Sequence, residues 1–277
     1  MSFKIRTLQR AVVIVLLSLG AIIFVVPVFW TVATSFKTPK EIMTVPPTLL
    51  PNSFSYMGNY HEVFERAKFG RFLLNTFVLG VTAVCVSLVV ASMAGYGFAK
   101  FKFPLREVFF FAVIGVLMVP FQSVAVPLFV YLEKINLVDT FLGLLLPLVI
   151  SAFGVLLMRE GISSIPNDYI DAARIDGCSE LRIFWNVVMP MIKPSLAALA
   201  IIKFMWTWNE FFWPLLVITT PAKAVVTLGI SYFTNFHFKE YHLIMAAATL
   251  SMLPLFLLFA VLRRWMIQAL TGTGLKV

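Results

Sequence analysis

Side chains able to do covalent or acid–base chemistry are sparse in this sequence and poorly spaced for it. The three histidines, His61, His237 and His242, show neither His-x-x-x-His nor Glu-x-x-His spacing, so no metal site is expected. Cys85 lies in an apolar run and Cys178 in a polar stretch, too few for a disulfide framework. No Gly-Lys dipeptide occurs anywhere, which excludes a P-loop on this chain. No nucleophile–base pair or metal cluster is left to support an enzyme. Two groups of residues do stand out. One is the acid-rich stretch Asp168-Tyr-Ile-Asp-Ala-Ala-Arg-Ile-Asp176, followed by Gly177. The other is a set of polar residues, Gln122, Lys203, Asn209 and Glu210, set within apolar runs where each costs free energy in hydrocarbon.

The elements that must position them are membrane helices. Charged residues are 13% of the 277 and apolar residues 60%, against roughly 25% and 45–50% in soluble domains. Mean hydropathy is +0.94. No compact fold of this length hides so much hydrocarbon, which excludes a soluble enzyme. Crossing about 30 Å of lipid takes about 20 helical residues. Apolar runs of that order occupy 11–36, 72–99, 108–132, 140–158, 194–219 and 241–262, the fifth interrupted by Lys203 and Glu210. They lack strand-like alternation, and helices satisfy their own backbone in lipid. The expected fold class is therefore an all-α integral membrane protein with six transmembrane helices in a single domain, 1–277. The first run is far longer than a signal-peptide core, so it is expected to be retained despite Lys4, Arg6 and Arg10 ahead of it.

The net charge of +9 would suggest nucleic acid in a soluble chain. Here the basic residues read as topology signals, and no nucleic-acid partner is expected. The N-terminal side of the membrane collects 13 Lys and Arg against 8 on the other, which makes it cytoplasmic with both termini inside. On that side lies one long connection, 159–193, holding five of the thirteen acids. Long loops in compact domains are usually functional.

Within that loop Ser164, Pro166, Asn167 and Asp168 signal a helix start, and Gly177 sits where a left-handed C-terminal residue is needed. Ser179-Glu180 opens a second short helix, Leu181–Val188, expected to stop at Pro190. Ala172 and Ala173 allow a partner surface close approach to the first helix. An amphipathic helix lying on lipid headgroups has the same pattern, so helical periodicity alone leaves the two readings open.

Asp171-Ala172-Ala173, three residues, Gly177, nine residues, then Val187-Val188-Met189-Pro190 resembles the Glu-Ala-Ala loop of binding-protein-dependent ABC importer permeases. The spacing fits throughout, with Asp171, Val187 and Met189 as conservative departures. Asn59-Tyr60, Asn75-Thr76, Met118-Val-Pro-Phe-Gln122, Trp208-Asn-Glu-Phe-Phe-Trp-Pro-Leu215 and the tail from Gln268 look like the carbohydrate-uptake subgroup, the subunit type of the second maltose permease. The resemblance implies a type I importer permease fold in a prokaryotic cytoplasmic membrane. It also implies a second permease subunit, two ATPase subunits carrying ATP and Mg, and an extracytoplasmic solute-binding protein. No cofactor is implied on this chain. Asp168, Asp171, Ala172, Ala173, Asp176, Gly177 and Pro190 would then form the ATPase-coupling segment.

For the substrate pathway the candidates are Gln122, Asn209 and Glu210. Gln122 lies between Pro120 and Pro127, and broken helices beside polar groups build midplane sites; an interhelical hydrogen bond is the equal alternative. Asn209 and Glu210 sit among Trp206, Trp208, Phe211, Phe212 and Trp213, either to meet sugar hydroxyls and faces or within an interfacial aromatic belt. The loop residues Tyr232, Phe233, Asn235, Phe236 and His237 are further candidates by position. The expected cargo is an oligosaccharide, the alternative a sugar derivative such as glycerol phosphate or a polyol. A stand-alone ion-coupled secondary transporter is the competing class, for which Glu210 is the only acid within a span.

Overall fold

The computed structural model describes residues 2–66, 68–234 and 240–272, leaving aside the side chains of 2–11 and 262–272. The sequence candidates Asn235, Phe236 and His237 and the tail 273–277 lie outside the described residues. Among those described, the regular elements are helices. In chain order they are α1 (Ser2–Ser35), α2 (Pro39–Ile42), α3 (Gly58–Arg66) and α4 (Phe69–Lys100). Next come α5 (Arg106–Gly115), a 3-10 turn (Val116–Met118), α6 (Phe121–Lys134), α7 (Phe141–Val149) and α8 (Ala152–Ser163). Then follow α9 (Asn167–Ile175), α10 (Glu180–Ile183), a π-helical turn (Phe184–Val188) and α11 (Met189–Met191). The last are α12 (Lys193–Trp208), α13 (Phe212–Val217), α14 (Val226–Ser231) and α15 (Tyr241–Gly272).

Three stretches are long and apolar enough to cross a membrane singly: Val12–Ser35, Phe69–Lys100 and Tyr241–Val261. Three bent pairs pass the same test of length and composition together, Arg106–Met118 with Phe121–Lys134 (98°), Phe141–Val149 with Ala152–Ser163 (43°), and Glu180–Met191 with Lys193–Trp208 (81°), which makes six spans if each pair is one. The run 108–132 is thus two helices rather than one rod. Pro120 has no N–H to donate, and Val119 before it is driven to extended backbone, φ −87° and ψ 117°. At the 43° bend Ser151 caps α8, accepting the Gly154 N–H at 3.0 Å. The run 194–219 also divides, because α12 ends at Trp208. By contrast Pro27, Pro127, Pro147 and Pro254 all lie inside helices.

The chain forms two compact units, 1–70 with 229–253, and 71–228 with 254–277. In the first, the C-terminal turn of α1 is held by buried polar groups. Asn59 donates to the carbonyls of Ser35 (2.7 Å) and Lys37 (2.8 Å), supplying partners that helix-end carbonyls lack. Ser35 and Tyr60 share a 2.5 Å hydrogen bond, and Lys37 reaches the Thr48 carbonyl. Thr38 and Glu41 make a reciprocal capping box at α2. Arg66 bridges Glu62 and Glu240.

In the second unit α4, α8 and α12 pack with little side chain between them. A Cβ on Gly95 would lie 2.7 Å from Met158 Cβ, and one on Gly161 2.6 Å from Ser195 Oγ. Small residues at such seams let helix backbones approach where lipid gives no hydrophobic drive. Buried Ala91, Val155, Met158, Ile162 and Leu199 fill the seam.

Candidate functional site

The loop 159–193 forms the candidate site. Helix α9 starts at Asn167 with Pro166 as its cap. Ser164, expected to open this helix, instead closes α8, its hydroxyl donating to the Gly161 carbonyl at 2.8 Å. A Ser164 cap would need backbone N–H groups just ahead of it, and Pro166 has none. At the other end Gly177 takes φ +77°. Its N–H donates to Arg174 O (3.0 Å), and the Cys178 N–H to Ala173 O (3.0 Å). That pairing of hydrogen bonds is a Schellman end, which consumes carbonyls that α9 would otherwise expose. Space around Gly177 is open, so only its backbone conformation demands glycine.

One face of α9 is anchored. Ile170 is buried among Ile162, Ile165, Ile183 and Phe184, with Ala173 packed beside them. The opposite face is exposed: Asp168, Asp171, Ala172, Asp176 and Gly177 all lie on the surface, as do Tyr169 and Ile175. Arg174 spans the turn, Nε to Glu180 at 2.7 Å and Nη1 to Asp171 at 3.0 Å. The Glu180 carboxylate holds the Arg174 guanidinium above its ordinary pKa. Asp171, one methylene shorter than the glutamate of the resembling motif, is thus paired within its own helix. Ser179 caps α10, accepting the Arg182 N–H. The second helix does not stop at Pro190 as expected. Pro190 cannot give Asn186 the N–H of an ordinary turn, and the preceding segment is wound as a π-helix. The chain turns only at Ile192, with Pro190 exposed.

Long-range tethers hold this loop, and sequence reasoning missed them because their members lie more than 50 residues apart. Tyr96 Oη donates to Glu180 Oε2 at 2.7 Å. Lys100 Nζ donates to the Ile165 carbonyl at 2.5 Å and to Asn167 Oδ1 at 2.8 Å. Arg159 Nη2 bonds both Glu107 oxygens, at 3.0 and 2.9 Å, and the guanidinium lies 3.7 Å over the Phe110 ring. The only signal available in the sequence was a tyrosine and two lysines or arginines at the ends of apolar runs.

The intramembrane candidates fall elsewhere in the same unit and differ from one another. Gln122 is exposed at the first turn of α6. Asn209 turns back on its own helix, donating to Met205 O at 2.8 Å. Glu210 Oε1 accepts the Trp213 N–H at 3.0 Å, and its carbonyl accepts the Thr227 hydroxyl at 2.6 Å. Its carboxylate therefore serves the N-terminus of α13. The aromatics divide in the same way. Trp208 and Trp213 are buried, Trp213 donating to Gly143 O at 3.1 Å and packing on Phe121, while Trp206 and Phe211 are exposed. Lys203 is buried, 6% exposed. A cavity of about 450 Å³ between α4, α12 and α15 is lined by Phe77, Val81, Cys85, Phe204 and Leu257, and its apolar wall offers sugar hydroxyls no partner.

The described residues thus combine long and bent apolar helices with an exposed, capped helix in the loop 159–193. The chain belongs to the family of binding-protein-dependent transport system inner membrane components, whose family model matches residues 83–272. It is 32% identical over 259 residues to the arabinooligosaccharide transport system permease AraQ of Halalkalibacterium halodurans, covering 92% of each chain. It is 30% identical over 267 residues to the sn-glycerol-3-phosphate transport system permease UgpE of Pectobacterium atrosepticum, covering 94% of this chain and 95% of that one. In fold it matches a chain of a bacterial ABC transporter that imports the acidic polysaccharide alginate. The TM-score there is 0.82 at 22% identity, over 94% of this chain and 97% of that one. The chain is a permease subunit of an ABC importer with the type I permease fold.

Proposed function

We propose that this chain is one translocating half of an ATP-driven carbohydrate importer in a prokaryotic cytoplasmic membrane. It works beside a second permease subunit, on two ATPase subunits, and receives cargo from an extracytoplasmic solute-binding protein. The observation that carries this reading is α9: an exposed helix closed by Gly177 and anchored by Ile170, on a chain with no P-loop of its own. Asp168, Asp171, Ala172, Ala173, Asp176 and Gly177 form the seat for the ATPase, and Pro190 shapes the chain behind it. ATP and Mg stay on the partner. Basic residues favour a cytoplasmic loop 159–193 with both termini on the same side.

The relatives named for arabinooligosaccharides and for glycerol phosphate support a sugar or sugar derivative as cargo. Lys203 is the only lysine or arginine inside the apolar runs of the sequence and it is buried, which favours a neutral oligosaccharide over a phosphate ester. On the pathway Gln122 is the better candidate, because Asn209 and Glu210 already serve the backbone. Affinity purification of the tagged chain from its native membrane in mild detergent tests the assembly. A P-loop ATPase and a second multi-span permease are expected in stoichiometric amounts. A lone chain or homodimer in every detergent would contradict the importer reading and favour the stand-alone carrier.

A further inference from the structure

We propose that α4 is a strut making α9 and the loop 219–226 at its far end move as one body, with Tyr96, Lys100 and Asn75 as its positioning residues. The proposal rests on the reading of α9 as the ATPase seat. Three observations carry it.

First, α4 is gripped at one end by both termini of α9. Tyr96 and Lys100 are four residues apart and so share a helix face. Lys100 holds the start of α9 through the Ile165 carbonyl and Asn167. Tyr96 holds its end through Glu180, which in turn binds Arg174 at 2.7 Å. These are hydrogen bonds to charged groups, the stronger kind.

Second, the other end of α4 is fastened to the loop 219–226. Asn75 Nδ2 donates to Ala222 O (3.1 Å) and Ala224 O (2.9 Å). The buried Thr76 hydroxyl accepts the Val226 N–H at 2.8 Å and donates to Phe72 O at 2.7 Å. Asp139 secures the same loop from beside α7, accepting from the N–H groups of Thr219 and Thr220 and from Lys223.

Third, α4 is stiff where the other spans are not. Its 32 residues contain no proline and no break. Among the described residues, every other span either contains a proline, Pro27 or Pro254, or bends by 43° to 98°. A rod of that length extends about 48 Å and sets Asn75 about 31 Å from Tyr96 along its axis. A displacement applied to α9 therefore has one unbroken path to the opposite side of the unit.

The test uses the importer purified with its partners and carrying Pro221→Cys as a probe, with Cys85→Ser and Cys178→Ser. Labelling by N-ethylmaleimide is timed without nucleotide and after trapping with Mg-ATP and vanadate. The parent is expected to change its labelling rate about fivefold between states, the lower end of coupling between distant sites. Tyr96→Phe and Asn75→Ala should each bring that ratio close to one. The double variant should go no further, since links in series fail together. Sites so far apart with separate partners would ordinarily act independently. A parent ratio near one, a ratio surviving either single change, or single effects that multiply in the double would each overturn the strut. Co-purification of the ATPase checks assembly, with Glu180→Gln replacing Tyr96→Phe if that variant does not assemble. Gly177→Asp separates the two levels. If it leaves the ratio intact, the seat on α9 fails; if it abolishes the ratio while the other variants do not, only the strut fails.

Discussion

The segment around α9 and the segment around Glu210 both place acidic and aromatic side chains beside a helix break, three acids with Tyr169 in the first and the single acid Glu210 among several aromatics in the second. In space they are opposites. On α9 the acids and Tyr169 face outward, while the backbone ends are satisfied by Gly177 and by tethers from α4. Around Glu210 the polar groups are spent inward, on the α13 N-terminus, on Met205 and on Thr227, and Trp213 is fully buried. Polar side chains left exposed, rather than turned inward onto the backbone, are what mark a docking surface; among the described residues only Asp171 of the α9 acids is paired, with Arg174 of the same helix. A polar residue in an apolar run is otherwise as ready to repair a broken helix as to meet a ligand.

The contrast is sharpest between two aromatics. Trp213→Ala should destabilise the detergent-solubilised protein by about 3–5 kcal/mol, the range for deleting a large buried side chain. Tyr169→Ala should stay within about 0.5 kcal/mol, as for an exposed position. Thermal unfolding of the two variants side by side measures both, and similar losses would erase the distinction. A smaller effect is expected at Glu210. Glu210→Ala removes the acceptor at the start of α13 and should cost about 1 kcal/mol. Glu210→Gln keeps an oxygen there and should retain both stability and transport. Transport lost in Glu210→Gln without a stability loss would move this residue into the substrate path.

The smallest effect concerns Asp139. Its carboxyl is held below the ordinary 3.8 by the Lys223 hydrogen bond first, with the Thr220 and Thr219 contacts adding to it against the cost of burial. A carboxyl depressed on folding stabilises above its unfolded pKa and loses that contribution as pH falls through the folded value. Melting of the wild type should therefore decline below about pH 4, and Asp139→Asn should flatten this part of the decline. Parallel curves would remove Asp139 as the cause.

Helical class was legible because lipid leaves few ways to satisfy a backbone, and the expected six spans match three single helices and three bent pairs if each pair is one span. Gly177 was legible because a left-handed helix end asks for a particular residue type at a particular place. The bends at Val119 and Ile192 were half legible, since proline marks a weakness without stating an angle: Pro120 breaks its span where Pro127 does not. The fates of Glu210 and Tyr96 were hidden. Each depends on a partner set by packing, three residues away for the first and 84 for the second, and neither leaves a periodic trace.

The central claim is that α9 seats on an ATPase. Ile175 is 87% exposed on that helix. Ile175→Cys, in a chain with Cys85 and Cys178 replaced by serine, can be cross-linked in native membranes with a short bifunctional maleimide and the adduct identified by mass spectrometry. The account predicts an adduct with a P-loop ATPase, weakened by Gly177→Asp. Adducts confined to other membrane proteins, with none to an ATPase in any nucleotide state, would contradict it.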